Sequence, residues 1–311
     1  MNVAVDFSPR KPRPSDLVAE RRLPFPRPTS LPRNELGGPS AARHPRPSMP
    51  GLPLNLSIAI ISLNEEANLR RCLQSAADLA QEIVVVDSGS TDKTLDVARE
   101  FGARVQHQDY LGQRDQKNVA VSLCTQPWVL LLDCDEELSP ELKAAIVAFF
   151  EKGDAERYVG AKMARKVWFM GRWITHGDWY PDRKLRLFRR DKGRCGGNAA
   201  HDKVEIEGPV TTFNGDLHHY SFRDMRHYVS KINTFADAFL EKQKSEGARW
   251  SLAATLFRPW WRFFRAYIIR RGFLDGFPGL WIAVATAFFA FVRYSRKYED
   301  EAMQEAPTTR R

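Results

Sequence analysis

The segment from residue 56 to residue 150 alternates short apolar runs with stretches whose apolar residues recur at helical spacing. The runs lie at 56–62, 82–87, 103–107 and 128–133, and the helical stretches at 64–80, 91–101, 112–124 and 140–150. Strands that are buried on both faces and separated by helices form mostly parallel sheets, because right-handed crossovers place helices on both sides. The sequence therefore predicts an α/β domain with a Rossmann-like, mostly parallel sheet.

Local signals mark the ends of these helices. Asn64 stands where a cap of the first helix is expected, and Thr91 and Asp92 open the second, which should end at Gly102. Pro140 suits the first turn of the fourth helix. For Asp92, capping of its helix is the favoured interpretation.

Polar side chains follow three of the predicted strands. Asn64 and Glu65 follow the first strand, Asp87 ends the second, and Asp133 and Asp135 follow the fourth. In open α/β sheets, ligands bind in the crevice beyond the carboxyl ends of the strands. These residues are therefore expected to meet at one site.

Several function classes are disfavoured. No GxxxxGK[ST] loop occurs, and no GxGxxG follows the first strand, so neither a P-loop enzyme nor a nicotinamide dehydrogenase is expected. The formal charge of +9 includes basic clusters at 157–203 and 258–297 that suit phosphate groups. Without a helix-turn-helix, zinc-finger or RNA-binding signature, we expect no nucleic-acid partner. The four scattered cysteines indicate a reducing compartment.

The DxD sequence at 133–135 suggests a metal site. In an extended segment residues i and i+2 point the same way, so Asp133 and Asp135 are expected to address one ligand. Carboxylates and substrate phosphates together bind Mg²⁺ or Mn²⁺. Cys134 is expected to pack away from the metal, because a hard cation does not require a thiolate.

Four motifs, in this order, resemble those of family 2 glycosyltransferases: SIAIISLNEE, EIVVVDSGSTDKT, GQRDQKN and WVLLLDCDEELSPEL. The similarity extends over 57–220, and RRGFLDGFPGL near the end is similar to the group that contains the lipopolysaccharide core β-1,4-glucosyltransferase. The resemblance implies the GT-A fold, a nucleotide-sugar donor and a glycan or glycolipid acceptor.

The resemblance also implies roles at matching positions. Asn64 and Glu65 match the first nucleotide-binding loop, and Asp87 matches the acid at the uracil and ribose end. Asp133 and Asp135 match the DxD that holds ribose, metal and diphosphate. Lys117 matches a basic residue that lines the donor site, although a solvated helix lysine is the alternative.

The group usually has a His-Glu pair after RLFRR, where the acid serves as the base. Here the pair is His201-Asp202, whose acid is one methylene shorter. Sugar transfer with inversion needs a base that takes the proton of the acceptor hydroxyl, and Asp202 is the candidate. His201 could orient Asp202, bind the acceptor or be an ordinary loop residue.

Other residues of this stretch keep two interpretations. Arg186 and Arg189 suit either phosphate contacts or a solvated strand face. Trp173, Trp179 and Tyr180 suit core packing, with stacking on an acceptor sugar as the alternative.

Four regions are predicted: a disordered Pro/Arg-rich arm at 1–54, a GT-A domain at 55–222, a helical region at 223–298 and a disordered tail at 299–311. Residues 1–53 hold 12 of the 19 prolines. The first twenty residues contain no signal-peptide core, so export by that route is not expected.

The segment 258–297 carries eight basic residues and one acidic residue beside many aromatic ones. Such a segment favours the headgroup region of an anionic membrane over a spanning helix or a soluble core helix. The expected location is the cytoplasmic face of the inner membrane, as a peripheral or monotopic protein.

Together these observations predict an inverting, Mg²⁺- or Mn²⁺-dependent glycosyltransferase that uses a nucleotide sugar, UDP-hexose by preference. Its acceptor would be a lipid-linked or lipopolysaccharide-core glycan. The alternative from another class is a non-catalytic scaffold with a GT-A fold. A nucleotidyltransferase is a weaker competitor, because no Gly-rich basic loop follows the first strand.

Overall fold

The computed structural model describes residues 53–198, 201–222 and 224–305. The predicted arm at 1–54 lies outside the described residues except for its end. In the first half, strands β1–β5 comprise Leu54–Ser62, Ala80–Asp87, Arg104–His107, Trp128–Asp133 and Glu136–Leu138. Helices α1–α5 comprise Glu66–Ala76, Thr94–Glu100, Gln113–Leu123, Pro140–Glu151 and Asp154–Arg157. Every strand and long helix predicted before residue 150 is confirmed.

The second half adds six strands and three long helices. Strands β6–β11 comprise Gly160–Phe169, Arg172–Trp173, Asp182–Arg189, Gly193–Asn198, His201–Ile206 and Val210–His219. Helices α6–α8 comprise Met225–Ser245, Leu252–Phe264 and Gly276–Glu305. Helix α8 runs past residue 298, so the boundary predicted there for a disordered tail is wrong.

The main sheet has the order β3-β2-β1-β4-β8-β6-β11-β5. Strands β3, β2, β1 and β4 are parallel, as predicted. Beyond β4 the sheet becomes mixed, because β8 runs antiparallel to both β4 and β6. Strands β9 and β10 form a separate antiparallel hairpin.

Apolar side chains fill both faces of the parallel half. Ile58, Ile60 and Val85 pack with Leu69 and Leu73 of α1 on one face, whereas Ala59, Val84 and Val86 pack with Ala120 and Val121 of α3 on the other. Burial on both faces explains why these strands read as nearly continuous apolar runs.

The C-terminal helices join the sheet domain through a turn before α8. Asp275 is fully buried, and its carboxylate accepts hydrogen bonds from the Thr175 amide (3.1 Å), the Thr175 hydroxyl (2.9 Å) and the His176 amide (2.8 Å). A Cβ on Gly279 would lie 1.9 Å from the carbonyl oxygen of Gly272, so this turn requires glycine there. The GFLDGFPG sequence thus attaches α8 to residues 172–178.

Candidate functional site

Asp87 organises the loop after β2. Its carboxylate accepts hydrogen bonds from the Ser62 hydroxyl (2.9 Å), the Gly89 and Ser90 amides (2.8 Å each) and the Ser90 hydroxyl (2.5 Å). Burial by itself raises the pKa of Asp87, but these hydrogen bonds outweigh burial and lower it. The carboxylate therefore stays ionised and fixes the shape of residues 88–90.

Asn64 links the loop after β1 to the loop after β2. Its side-chain oxygen accepts a hydrogen bond from the Thr91 backbone amide (2.8 Å), and its backbone amide donates one to the Ser90 hydroxyl (2.8 Å). The prediction that the Asn64 side chain caps α1 is therefore wrong. The amide of Glu66 instead donates to Asp92, whose carboxylate also accepts from the Thr94 amide (3.0 Å).

Glu65 lies next to Asn64 at the carboxyl end of the sheet. Its amide donates to the Thr94 hydroxyl (2.8 Å), and its carboxylate accepts from the side-chain amide of Asn68 (2.7 Å). The hydrogen bond from the Glu65 amide to Thr94 joins the loop after β1 to the loop after β2. The two loops therefore form one polar surface beyond these strands.

Asp133 ends β4 between two cations. Lys117 Nζ lies 2.7 Å from Oδ1, and Arg186 Nη2 lies 2.5 Å from Oδ2. Burial by itself raises the pKa of Asp133, but Arg186 and then Lys117 outweigh it and hold the pKa well below its ordinary value. Lys117 and Arg186 are both buried, so the solvated alternatives considered for them are wrong.

A second carboxylate extends this cluster. Glu136 is fully buried, with Oε1 2.6 Å from Arg186 Nη2 and 3.7 Å from Arg165 Nη1. Its other oxygen accepts a hydrogen bond from the Asp133 amide (3.0 Å). Burial of these charges is compensated because each carboxylate faces at least one guanidinium or ammonium group.

Asp135 lies in the turn after β4, apart from the cations that hold Asp133. Its Oδ2 lies 3.3 Å from Nε2 of His219, the last residue of β11. Burial raises the pKa of Asp135, but the hydrogen bond and charge of His219 outweigh this effect and lower it. The turn also corrects the extended geometry assumed for residues 133–135.

The donor atoms at Asp135 fit a divalent cation. A carboxylate oxygen suits Mg²⁺ or Mn²⁺, and the imidazole nitrogen of His219 lies beside it. No cluster of three or more His, Cys, Asp or Glu residues suited to a metal occurs among the described residues. In sites of this kind Mg²⁺ takes its other ligands from substrate phosphates and water. Cys134 donates its thiol to the Ile61 carbonyl (3.2 Å) and packs in the core, as expected.

Helix α3 connects this site to the β9–β10 hairpin. The Asn118 side chain accepts a hydrogen bond from the Cys195 amide (2.8 Å) and donates one to the Cys195 carbonyl (2.9 Å). His201 and Asp202 begin β10, opposite Asn198 and Gly197. The side chains of His201 and Asp202 lie outside the described residues.

The other sequence candidates do not join the cluster. Arg189 pairs with Trp128 at the opposite end of β4, and its Nε lies 3.4 Å from Asp191. Trp179 packs against Phe169 and Phe222 in a core cluster, as expected.

Trp173 and Tyr180 are half-buried, and each contacts a residue of β11. Trp173 stacks on His218 with ring centroids 4.1 Å apart. The Tyr180 hydroxyl donates to Asp216 (2.9 Å), and the pKa of Tyr180 rises to about 12 because of burial and that carboxylate. Both side chains therefore have protein partners.

Sequence reasoning missed His219, Glu136 and Arg165. Glu136 belongs to the acidic run DCDEE, in which only Asp133 and Asp135 match the DxD pattern. His219 meets Asp135 only because β11 pairs with β5 in the register His219↔Glu136. A contact across 84 residues leaves no local signal.

A parallel half-sheet with Asp87, Asp133 and Asp135 at its carboxyl edge, joined to a mixed second half, is the arrangement expected of a glycosyltransferase of the GT-A fold. The sequence profile described as Glycosyl transferase family 2 matches residues 57–204. The chain belongs to this family, and the prediction of a glycosyltransferase enzyme is confirmed.

Two relatives are similar over most of their length. The lipopolysaccharide core biosynthesis glycosyltransferase LpsC of Rhizobium meliloti is 32% identical over 266 residues, which cover 83% of this chain and 97% of LpsC. An uncharacterized glycosyltransferase of Rickettsia bellii is 31% identical, over 82% of this chain and 90% of the relative.

Among solved structures, the mannosyltransferase PcManGT of Pyrobaculum calidifontis, in complex with GDP-Man and Mn²⁺, has a similar fold. The TM-score is 0.51, with 12% identity, over 79% of this chain and 88% of the other. The predicted fold class is thereby confirmed.

Proposed function

We propose that this glycosyltransferase is an inverting enzyme that moves a hexose from a UDP-sugar to a lipid-linked or lipopolysaccharide-core glycan. The observation that carries this proposal is the cluster at the carboxyl end of the sheet. There Asp133, with Lys117 and Arg186, adjoins Asp135 and its partner His219. Carboxylates for a cation next to buried basic groups suit a sugar nucleoside diphosphate.

Each part of the donor has residues to receive it. Asn64, Glu65 and the loop that Asp87 orders would bind the nucleoside, and Asp133 the ribose and diphosphate. Asp135, together with Asp133 and His219, would hold Mg²⁺ or Mn²⁺. When bound, the cation supplies charge stabilisation for the leaving diphosphate.

The protein groups would divide the reaction between them. Asp202 would take the proton of the acceptor hydroxyl as its oxygen attacks the anomeric carbon, and the bond from that carbon to the diphosphate oxygen breaks. Lys117 and Arg186 place positive charge beside the leaving group, so no general acid is needed.

The acceptor and location follow from two further observations. LpsC, a relative over nearly its whole length, is named for lipopolysaccharide core biosynthesis. Among the described residues, the segment Gly272–Gln304 contains an 18-residue window with a mean hydropathy of 1.5, which by length and composition alone would allow a helix to cross a bilayer. We therefore place the enzyme at the cytoplasmic face of the inner membrane.

The test is a screen of UDP-, GDP- and dTDP-sugars for hydrolysis and thermal stabilisation, with Mn²⁺, Mg²⁺ or EDTA. We expect UDP-hexoses to stabilise the protein only with the metal. Product anomers resolved by NMR should show inversion. Stabilisation by every nucleotide alike, or equal turnover in EDTA, would contradict the proposal.

A further inference from the structure

Helix α7 and the segment that follows it, up to the start of α8, expose an unusual number of large apolar side chains. Ten of them are between 40% and 67% exposed, and we call them the aromatic face: Leu252, Leu256, Phe257, Trp260, Trp261, Ile268, Ile269, Phe273, Leu274 and Phe277. Neighbouring rings hold one another, since Trp260 stacks on Phe264 with centroids 5.5 Å apart. Apolar side chains grouped in this way mark an interaction surface.

Basic side chains accompany the aromatic face. Arg258, Arg270 and Arg271 are exposed. The one acidic residue between 252 and 277 is Asp275, which is buried and bonded to Thr175 and His176. This surface is therefore apolar and cationic at once, which complements a layer of anionic phosphate headgroups above hydrocarbon.

Helix α8 packs against α6 and α7, and charged groups take part in these contacts at positions 293–296. Arg258 of α7 lies 5.3 Å from the ring of Tyr294, and Arg293 lies 4.6 Å from the ring of Phe239 on α6. Arg296 of α8 pairs with Asp237 of α6 at 2.7 Å. Because α7 packs against α8 and carries Arg258 and Arg262, a spanning α8 would draw these arginines toward the hydrocarbon or lose its packing against α7.

The apolar part of α8 is also short, and its start is attached. The uncharged run from Gly276 to Val292 has 17 residues, about 25 Å of helix, whereas the hydrocarbon core is about 30 Å thick. At its start, the turn holds Asp275 against Thr175 and His176.

Ion pairs also tie the segment after α7 to the sheet domain. Arg265 Nη2 lies 2.6 Å from Asp178 Oδ2, and Arg270 Nε lies 3.6 Å from Oδ1. The helices and the sheet domain are therefore connected at two points, so a surface that binds the helices also orients the domain.

We propose that helices α6, α7 and α8 lie against the membrane as an in-plane unit, with the aromatic face inserted among anionic headgroups, and that α8 does not cross the bilayer. This inference rests on the membrane location proposed above and specifies how it is achieved. The exposed arginines contact phosphate groups while the Trp and Phe rings enter the interface.

Flotation of the full-length protein with vesicles tests the docking. Binding should be at least tenfold tighter to phosphatidylcholine vesicles containing phosphatidylglycerol than to phosphatidylcholine alone. The double variant Phe257→Ser/Trp260→Ser should bind about 100-fold more weakly, and Arg271→Gln should lose about fivefold on anionic vesicles only. The control Met303→Ser removes an exposed side chain beyond the apolar run and should bind normally.

Circular dichroism would confirm that these surface variants fold. Equal binding by the Phe257→Ser/Trp260→Ser variant and the parent would overturn the assignment of the aromatic face. Another outcome is that the parent protein does not bind vesicles but forms a concentration-dependent dimer, which the same variant abolishes. The aromatic face would then be an interface between copies of the chain. In that case the membrane location itself would fail.

Cysteine labelling tests whether α8 spans. All four native cysteines are buried, so a cysteine introduced by Met303→Cys reports on the end of α8, and Leu111→Cys reports on the sheet domain. In spheroplasts, a membrane-impermeant maleimide should label both positions only after lysis. Labelling at 303 alone in intact spheroplasts would overturn the in-plane arrangement while leaving the membrane location standing.

Discussion

Arg186 Nη2 lies 2.5 Å from Asp133, although 53 residues separate them, and the same nitrogen lies 2.6 Å from Glu136. One guanidinium thus bridges two carboxylates, and Lys117 and Arg165 supply further positive charge beside them. Burying three such groups is tolerated only while all of them are present.

Replacing Arg186 by Met should destabilise the fold by about 3–5 kcal/mol, because Glu136 loses its close partner and Asp133 keeps only Lys117. Urea unfolding at neutral pH measures this loss. Arg189→Met, on the same strand but in an exposed pair with Asp191, is the matched control and should change stability by less than about 1 kcal/mol. Equal losses in the two variants would show that the buried cluster contributes nothing special.

Asp135→Asn should abolish transfer and remove metal-dependent donor binding, because the variant loses the anionic oxygen next to His219. Isothermal titration of UDP with and without Mn²⁺ measures the effect. Asp109→Asn, at a side chain that is 94% exposed, should behave as the parent. Undiminished metal-dependent affinity in Asp135→Asn would refute the metal role.

His219→Gln should weaken metal affinity about 10- to 100-fold, because it removes a nitrogen ligand or the group that positions Asp135. The Mn²⁺ concentration that gives half-maximal activity should rise, while unfolding at neutral pH without metal changes little. An unchanged Mn²⁺ requirement would separate His219 from the site.

Asp202→Asn should leave donor affinity intact and lower kcat by about 100-fold or more, the low end for the loss of a general base. Quenched-flow measurements with saturating donor and acceptor would separate the two effects. Near-normal kcat would move the base elsewhere. Asp178 and Asp182 are the next carboxylates to consider as the base, but both are held in ion pairs. Arg265 lies 2.6 Å from Asp178, and Arg165 lies 2.6 Å from Asp182.

Ser62→Ala should lower stability by about 1–2 kcal/mol at neutral pH, because Asp87 loses a charge-assisted hydrogen bond. The pKa of Asp87 is lower in the folded than in the unfolded protein, so this contribution is complete above about pH 4 and disappears as pH falls through the folded pKa. Unfolding of parent and variant from pH 7 to pH 3 should show a converging difference. Ser122→Ala, at an exposed hydroxyl, should show a small and constant one.

The sequence predicted the parallel half of the fold well because its signals are local. An apolar run indicates a buried strand such as Trp128–Asp133, and Pro140 indicates the start of α4 because proline suits the first turn of a helix. The mixed half depends on pairings between distant strands, such as β4 with β8, which no periodicity reports.

The same distinction applies to the site. The sequence predicts Asp87, Asp133 and Asp135 at the site because Asp87 and Asp133 end buried strands and Asp135 follows one. The partnerships of Asp133 with Arg186 and of Asp135 with His219 arise from tertiary packing. Asn64 satisfied a local capping rule, but a distant loop outcompeted the helix for its oxygen.

Deleting all residues after Gly247 would remove α7 and α8, the helices proposed to lie against the membrane. Trp281 and Ile282 of α8, however, pack with Phe169 and Ile174 of the sheet domain. The truncation would expose that cluster to water, so substitutions on the aromatic face are the better experiment.

Lys117 and Asn118 are consecutive residues of α3, yet they serve different parts of the protein. Lys117 contacts Asp133, whereas Asn118 holds the hairpin that carries Asp202. Successive helical residues are rotated by about 100°. Inserting one residue between Lys117 and Asn118 would therefore rotate one of the two side chains away from its partner, so natural length variation among related chains should avoid this part of the helix and accumulate in the surface loops around it.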